Sequence, residues 1–309
     1  MRILVLGAGG VGGYFGGRLA AAGADVTFLV RPRRAGQLAA DGLVIRSPAG
    51  DLVLPSPKTL SAGAVAAAPF DIVLLTCKAY DLAAAIDTIA PHVGAETAVL
   101  PCLNGMAHLD ALDARFGPPR VLGGLCQIAA TLTPEGEIRH LNDIHRVIYG
   151  ERDRSTSPRV AALADAMAPA NFASRPSDDI LLEMWEKWVM LAPLAGMTCL
   201  MRGSVGDIVA ADDGKRLAEQ MIAECASVAA SAGHAPREKV LAEARARLIQ
   251  PGSGFTASML RDIERGGPTE GDHVLGDLIA RARGFGLATP LLEIARCHVQ
   301  VYERRRAAG

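Results

Sequence analysis

Residues 1–17 read MRILVLGAGGVGGYFGG, and the rest of the chain is interpreted outward from them. Arg2 to Leu6 is a short apolar run rich in Ile, Leu and Val, the pattern of a strand buried on both faces. It breaks at Gly7-Ala8-Gly9-Gly10-Val11-Gly12, and apolar residues then recur at helical spacing. Strand, glycine turn and helix, in that order, open a dinucleotide-binding fold. Gly7 permits the tight turn, Gly9 lets a pyrophosphate approach the backbone, and Gly12 allows close helix–strand packing. The candidate cofactor contacts here are Gly7, Gly9, Gly10, Val11 and Gly12, where free N–H groups of a helix N-terminus would meet the ligand's negative charge. GxGxxG also occurs in ordinary turns; its place between a strand and a helix favours binding.

A second strand, Asp25 to Val30, ends in Arg31-Pro32-Arg33-Arg34. NAD sites usually carry an acid near this point, to bond the ribose 2′-hydroxyl. A guanidinium instead suits a 2′-phosphate through charge-assisted bidentate bonds. The sequence therefore points to NADP(H), with Arg31 as the first candidate and Arg34 as the second. The plainer alternative is a solvated basic turn.

The chain has 309 residues, enough for two domains on the prior of about 150 residues each. A formal net charge of −1 argues against nucleic acid or an anionic membrane as partner. Charged residues interrupt every long apolar run, so no membrane span is expected, and residues 1–6 read as a core strand rather than a leader. The six cysteines are scattered without a CxxC pair, which fits reduced thiols in a cytoplasmic protein. The seven histidines show no ligand spacing, and no metal site is expected.

Further along, residues 43–46 and 52–54 form a hairpin excursion, and 71–76 and 97–101 read as buried strands. Val121 to Gln127 is a candidate fifth strand, residues 128–141 alternate as a hairpin around Pro134-Glu135-Gly136, and 146–149 add another strand. Strands alternating with helices predict an α/β fold, an N-terminal doubly wound parallel sheet of Rossmann type over residues 1–173. Lys78 and Asn104 fall just past strand ends, on the rim where such sheets bind ligands.

The pattern changes from Ser174, and residues 174–309 read as an all-helical domain. Asp178 to Met201 is a long apolar helix that Pro193 is expected to kink. Asp212-Asp213 and Thr289 precede later helices as candidate caps. Lys187 is the only cation between Asp178 and Leu200. An ammonium on so apolar a helix either snorkels to the edge or is held as a general acid for a carbonyl oxygen. Glu270 is a candidate to hold it, unless it simply complements a helix dipole. Ser258 either bonds a substrate carboxylate or caps the helix containing Met259.

With these motifs assembled, GAGGVGG, Arg31, CKAYD at 77–81, LNGM at 103–106, MWEKW at 184–188, TASMLRDIERGGPTE at 256–270 and GDLIARARGFGLATP at 276–290, the chain resembles the ketopantoate reductase family nearly end to end. The resemblance implies NADPH-dependent reduction of a 2-oxo acid, ketopantoate (2-dehydropantoate) to pantoate in pantothenate biosynthesis. It implies Lys187 as general acid and Glu270 as the residue that helps hold it. It also implies Asn104 at cofactor and substrate, Lys78 on the cofactor side, and Ser258 at the substrate. Three family asparagines are replaced, by Leu191, Ala195 and Phe255, so a more apolar 2-oxo acid is a second expectation. A non-catalytic NADP(H)-binding sensor is a third. Solvent-facing helices in the second half are compatible with a homodimer.

Overall fold

The computed structural model describes residues 1–308, which divide into two compact units. The first comprises residues 1–103 and 108–180, the second 104–107 and the described residues from 181 on.

In the first unit β1 (Arg2–Leu6) leads through the glycine turn into α1 (Gly10–Ala21), followed by β2 (Asp25–Val30) and α2 (Pro32–Asp41). Then come β3 (Leu43–Arg46), β4 (Leu52–Leu54), β5 (Thr59–Ser61), β6 (Ile72–Leu75), α3 (Leu82–Ile89), β7 (Ala98–Pro101) and α4 (Ala107–Phe116). The unit ends with β8 (Gly123–Leu132), β9 (Ile138–Gly150), α5 (Pro158–Met167) and β10 (Ala173–Pro176). A five-stranded, all-parallel sheet has the order β5-β2-β1-β6-β7. The chain steps outward one way from β1 through β2 and the other way through β6, so the switch point lies beside the glycine turn. The apolar runs of β1, β6 and β7 are buried throughout or nearly so, as strands covered on both faces must be.

Gly12 shows why α1 can lie so close to this sheet. A Cβ there would stand 2.3 Å from Thr76 Oγ1 and 2.5 Å from the Gly7 carbonyl oxygen. Gly7 itself has φ +86°, a left-handed conformation that L side chains rarely adopt.

Residues 121–127 are not a fifth strand of the parallel sheet. Only an isolated bridge joins Val121 to Val99, and β8 instead pairs antiparallel with β9 across the 133–137 turn. This hairpin belongs to a second sheet, in which β9 also pairs in parallel with β3 and β10. A buried apolar run looks alike in either sheet; the alternating partner strand and its short turn decide the pairing. The second sheet also claims β10, so the first unit runs to Ile180, beyond the change of pattern read at Ser174.

The second unit is helical, with no strand among its described residues: α6 (Ile180–Met201, its first residue in the first unit), α7 (Val205–Ala210), α8 (Gly214–Ser231), α9 (Glu238–Leu248), α10 (Ser258–Glu264), α11 (Asp277–Gly284) and α12 (Pro290–Ala308). A π-helical turn, Asp272–Gly276, runs directly into α11. α6 continues as one helix through Pro193. The expected caps act differently. Asp213 bonds Arg216 Nε at 3.0 Å instead of backbone, and the buried Thr289 hydroxyl has no hydrogen-bond partner. The Glu224 carboxylate takes over at α12, accepting from the Leu291 and Leu292 N–H groups, each at 3.1 Å. Ser258 is the first helical residue of α10, behind Ala257 at the cap position. Among the described residues no helix is long and apolar enough to cross a membrane, and no cluster of His, Cys, Asp and Glu has a metal-holding arrangement.

Candidate functional site

The first unit holds a cleft of about 640 Å³ at the carboxyl ends of β1 and β2, lined by Gly7, Ala8, Gly9, Arg31, Thr76 and the 132–134 segment among others. No atom lies within 4 Å of where a Cβ on Gly7 or Gly9 would stand, so the turn offers bare backbone to a ligand. Gly9 occupies the cap position of α1 without a side-chain hydrogen bond, which leaves the N–H groups of the first turn for an anion. These features fit the pyrophosphate of a dinucleotide. Gly10 sits against the hairpin, where a Cβ would lie 2.8 Å from the Ala130 carbonyl oxygen, and Val11 packs on the core.

Arg31 closes one end of the cleft. Its guanidinium is 76 % exposed and pairs with Asp81 at 3.3 Å, a partner that residue type alone did not reveal. Arg34 is spent differently: its Nε donates to the Ala8 carbonyl and its Nη1 to the Gly136 carbonyl, each at 3.0 Å. The second candidate for a 2′-phosphate is thus tied into the protein's own backbone. Lys78 is half-buried in the turn after β6, but the cleft is lined by its neighbours Thr76, Cys77, Tyr80 and Asp81.

The second unit gathers Lys187, Asn104 and Glu270. The chain visits this unit briefly at 104–107, where Gly105 (φ +73°) makes the turn. Lys187 Nζ donates to Asn104 Oδ1 at 3.1 Å, and Asn104 Nδ2 donates to Glu270 Oε2 at 3.5 Å. The amide can satisfy an ammonium and a carboxylate together only in this orientation. Lys187 is half-buried and Glu270 only 6 % exposed, so the chain of contacts runs from an accessible cation to a sheltered acid. Glu270 therefore reaches Lys187 through Asn104.

Three supports hold this arrangement. Trp188, next to Lys187, donates its indole N–H to the Val274 carbonyl at 2.9 Å, docking α6 on the π-helical turn, where ordinary helical bonding is interrupted. The Glu303 carboxylate accepts the Thr269 N–H at 2.6 Å and pins the strap leading to Glu270. Glu186, buried on α6, accepts the Arg237 N–H at 2.9 Å and its Nε at 2.8 Å. That acid is thereby committed away from Lys187. His273, on the π turn, packs against Gly105: a Cβ there would lie 3.1 Å from the ring's Cδ2. Burial pushes the His273 imidazole below its ordinary value, against the opposing pull of Glu270 and Asp277. Neither His273 nor Arg237 had a signal in the sequence. Ser258 is half-buried at the start of α10 and shares none of the bonds among Lys187, Asn104 and Glu270. Leu191 is half-buried, Ala195 buried and Phe255 39 % exposed.

Such an arrangement can hold a positive charge and a transferable proton at a fixed point. Comparison with known proteins gives it a context. Residues 3–154 match the family model described as ketopantoate reductase PanE/ApbA, and residues 179–303 match its C-terminal counterpart. A Bacillus subtilis protein named as an uncharacterized oxidoreductase, YkpB, is 40 % identical over 307 residues, 99 % of this chain and 100 % of its own. A 2-dehydropantoate 2-reductase of Mesorhizobium japonicum is 30 % identical over 318 residues, 95 % of each chain. The crystal structure of a 2-dehydropantoate 2-reductase from Geobacter metallireducens superposes with a TM-score of 0.87 at 29 % identity, covering 97 % of this chain and 99 % of that one.

Proposed function

The chain belongs to the ketopantoate reductase family, and from that premise we propose that it reduces a 2-oxo acid to the 2-hydroxy acid with NADPH, with ketopantoate as substrate and pantoate as product. The observation that carries this reading is the Lys187–Asn104–Glu270 chain of contacts. A protein that only sensed NADP(H) would have no use for an ammonium held in this way.

The glycine turn binds the pyrophosphate through backbone N–H groups, and Arg31 takes the 2′-phosphate, exchanging its exposed contact with Asp81 for a doubly charged partner. Bound NADPH supplies the hydride that adds to the keto carbon. As that carbon gains the electron pair, Lys187 Nζ gives a proton to the keto oxygen, and its charge stabilises the oxygen while negative charge builds there. Asn104 Oδ1 aims the ammonium, and Glu270 orients the amide through Nδ2. Ser258 is assigned to the substrate carboxylate. The lysine regains its proton from solvent.

One observation favours a second substrate. Met190 and Leu191, three and four residues beyond Lys187, lie on its face of α6 and are half-buried like it. The turn of α6 beyond the ammonium is thus apolar, which suits a 2-oxo acid without a side-chain hydroxyl. The experiment is a substrate panel followed by loss of NADPH absorbance, with ketopantoate beside 3,3-dimethyl-2-oxobutanoate, the same skeleton lacking the hydroxyl. Turnover of ketopantoate supports the first reading, and preference for its deoxy analogue the second. Failure of every 2-oxo acid despite tight NADPH binding returns the protein to the sensor class.

A further inference from the structure

The nucleotide cleft has a second wall, and one buried cation builds it. Arg34 on α2 is 9 % exposed; besides its bonds to the Ala8 and Gly136 carbonyls, its Nη1 reaches Gln37 Oε1 at 3.3 Å. Gln37, one helical turn on, donates Nε2 to the Pro134 carbonyl at 3.3 Å. α2 therefore grips the glycine turn at Ala8 and the β8–β9 turn at Pro134 and Gly136. Residues 132–134 of that turn line the same cleft as Gly7, Ala8 and Gly9. Gly136 is matched to the grip, with φ +96°, and a Cβ there would stand 2.8 Å from Arg34 Nη1 and push it aside.

The electrostatics are unusual as well. Every acceptor of Arg34 is neutral, and its Nη2 is buried without a hydrogen-bond partner. Buried cations are ordinarily paired with an anion, because the desolvation cost is otherwise uncompensated. Here the charge is left to act on whatever enters the cleft. Arg34 lines the cleft, but its Nη2 is sealed from solvent and its Nε and Nη1 are bonded to protein acceptors, so it acts on a ligand chiefly through the Ala8 peptide and through its field.

We infer that Arg34 is a positioning residue for the dinucleotide, clamping the β8–β9 turn to the glycine turn and placing an uncompensated positive charge behind the pyrophosphate loop. The inference rests on the reading of this cleft as a dinucleotide site. NADPH and NADH share the pyrophosphate, so the clamp serves both equally, in contrast to Arg31, which is assigned to the extra phosphate.

The test is titration of NADPH and NADH, by cofactor fluorescence, into the full-length protein and its Arg34→Gln and Arg34→Lys variants. Arg34→Gln should raise both dissociation constants by about tenfold or more, the loss expected when charge-assisted bonds are removed, and leave their ratio nearly unchanged. Arg34→Lys keeps the charge but not the forked donors, and should fall between. If Arg34→Gln does not fold, Gln37→Ala removes the Pro134 arm and Arg34's contact with Gln37 but keeps Arg34's bonds to Ala8 and Gly136, and should give a smaller, equal rise for both cofactors. A tenfold change in the NADPH-to-NADH ratio would make Arg34 a ligand of the extra phosphate and overturn the inference. So would dissociation constants that do not move in any variant. If the wild-type protein binds neither nucleotide, the reading of the cleft itself fails.

Discussion

Removing the Asn104 side chain tests whether Lys187 works alone or as part of a unit. Its two bonds are unequal. The contact from Lys187 Nζ is 3.1 Å, within the normal range for a nitrogen donor, whereas the contact to Glu270 is 3.5 Å, at the outer limit. The first therefore dominates, and a hydrogen bond to a charged group is worth about 1.5–3 kcal/mol. If that energy is spent on aiming the ammonium, Asn104→Ala should lower kcat/KM by about ten- to a hundredfold. Lys187→Ala removes the proposed proton donor itself and should cost about 10²–10⁴-fold. Once the ammonium is gone the amide has nothing to aim, so the double variant should be hardly worse than Lys187→Ala. The assay is kcat/KM for the best 2-oxo acid at saturating NADPH across the four proteins, with melting temperatures as a check on folding. Independent sites multiply their effects to within a few tenths of a kcal/mol. A double variant whose loss equals the product of the two single losses would refute the coupling, and with it Asn104's role as the bridge to Glu270.

Other expectations follow from single features. Arg31→Ala should weaken NADPH binding far more than NADH binding, and an equal effect on both would contradict the phosphate assignment. Its pair with Asp81 is exposed and worth at most about 1 kcal/mol, so Asp81→Asn should tighten NADPH by no more than about fivefold in the same titration. Gly12→Ala sets a methyl group 2.5 Å from a backbone carbonyl that cannot step aside; a loss of about 1–3 kcal/mol should appear in denaturant melts, together with weaker NADPH binding. Burial, helped by His140 and Arg18, holds the His145 imidazole below its ordinary value, and burial does the same for His92 and His273. The folded protein therefore binds fewer protons at these sites than the unfolded chain, whose histidines titrate near about 6.5. Their contribution is complete above that pH and is lost as pH falls below it towards the depressed folded values. Thermal melts between about pH 7 and pH 5 should show the decline, and His145→Gln should make it shallower; an unchanged slope would count against His145.

How much of this was legible in the sequence depended on whether a feature is local. The strand–turn–helix of residues 2–21 was legible because the apolar run, the glycine turn and the helical spacing follow one another locally, although what Gly10, Gly13 and Gly17 make room for, Ala130, Ile138 and Leu43, lies far along the chain. β8 was misassigned because its partner, β9, is what makes it part of the second sheet, and a run of buried apolar residues does not name its partner. α2 carried only a short apolar face, Ala35 and Leu38, to announce it. Its two informative side chains, Arg34 and Gln37, face acceptors about a hundred residues away.

The candidate site shows the same limit most sharply. Glu186 stands next to Lys187 in sequence and looks like its natural counter-ion. Successive residues on an α-helix point roughly 100° apart, however, so neighbours in sequence do not face each other. Glu186 turns into the unit and accepts from Arg237, 51 residues on. Lys187 turns the other way and finds Asn104, 83 residues earlier, on a four-residue excursion that the second unit takes from the middle of the first. The separation has a chemical consequence. An ammonium beside a bare carboxylate would be largely neutralised, and its charge would do little for a developing oxyanion. A neutral amide between Lys187 and Glu270 orients the cation without cancelling its charge, which is what the proposed protonation of a substrate oxygen requires.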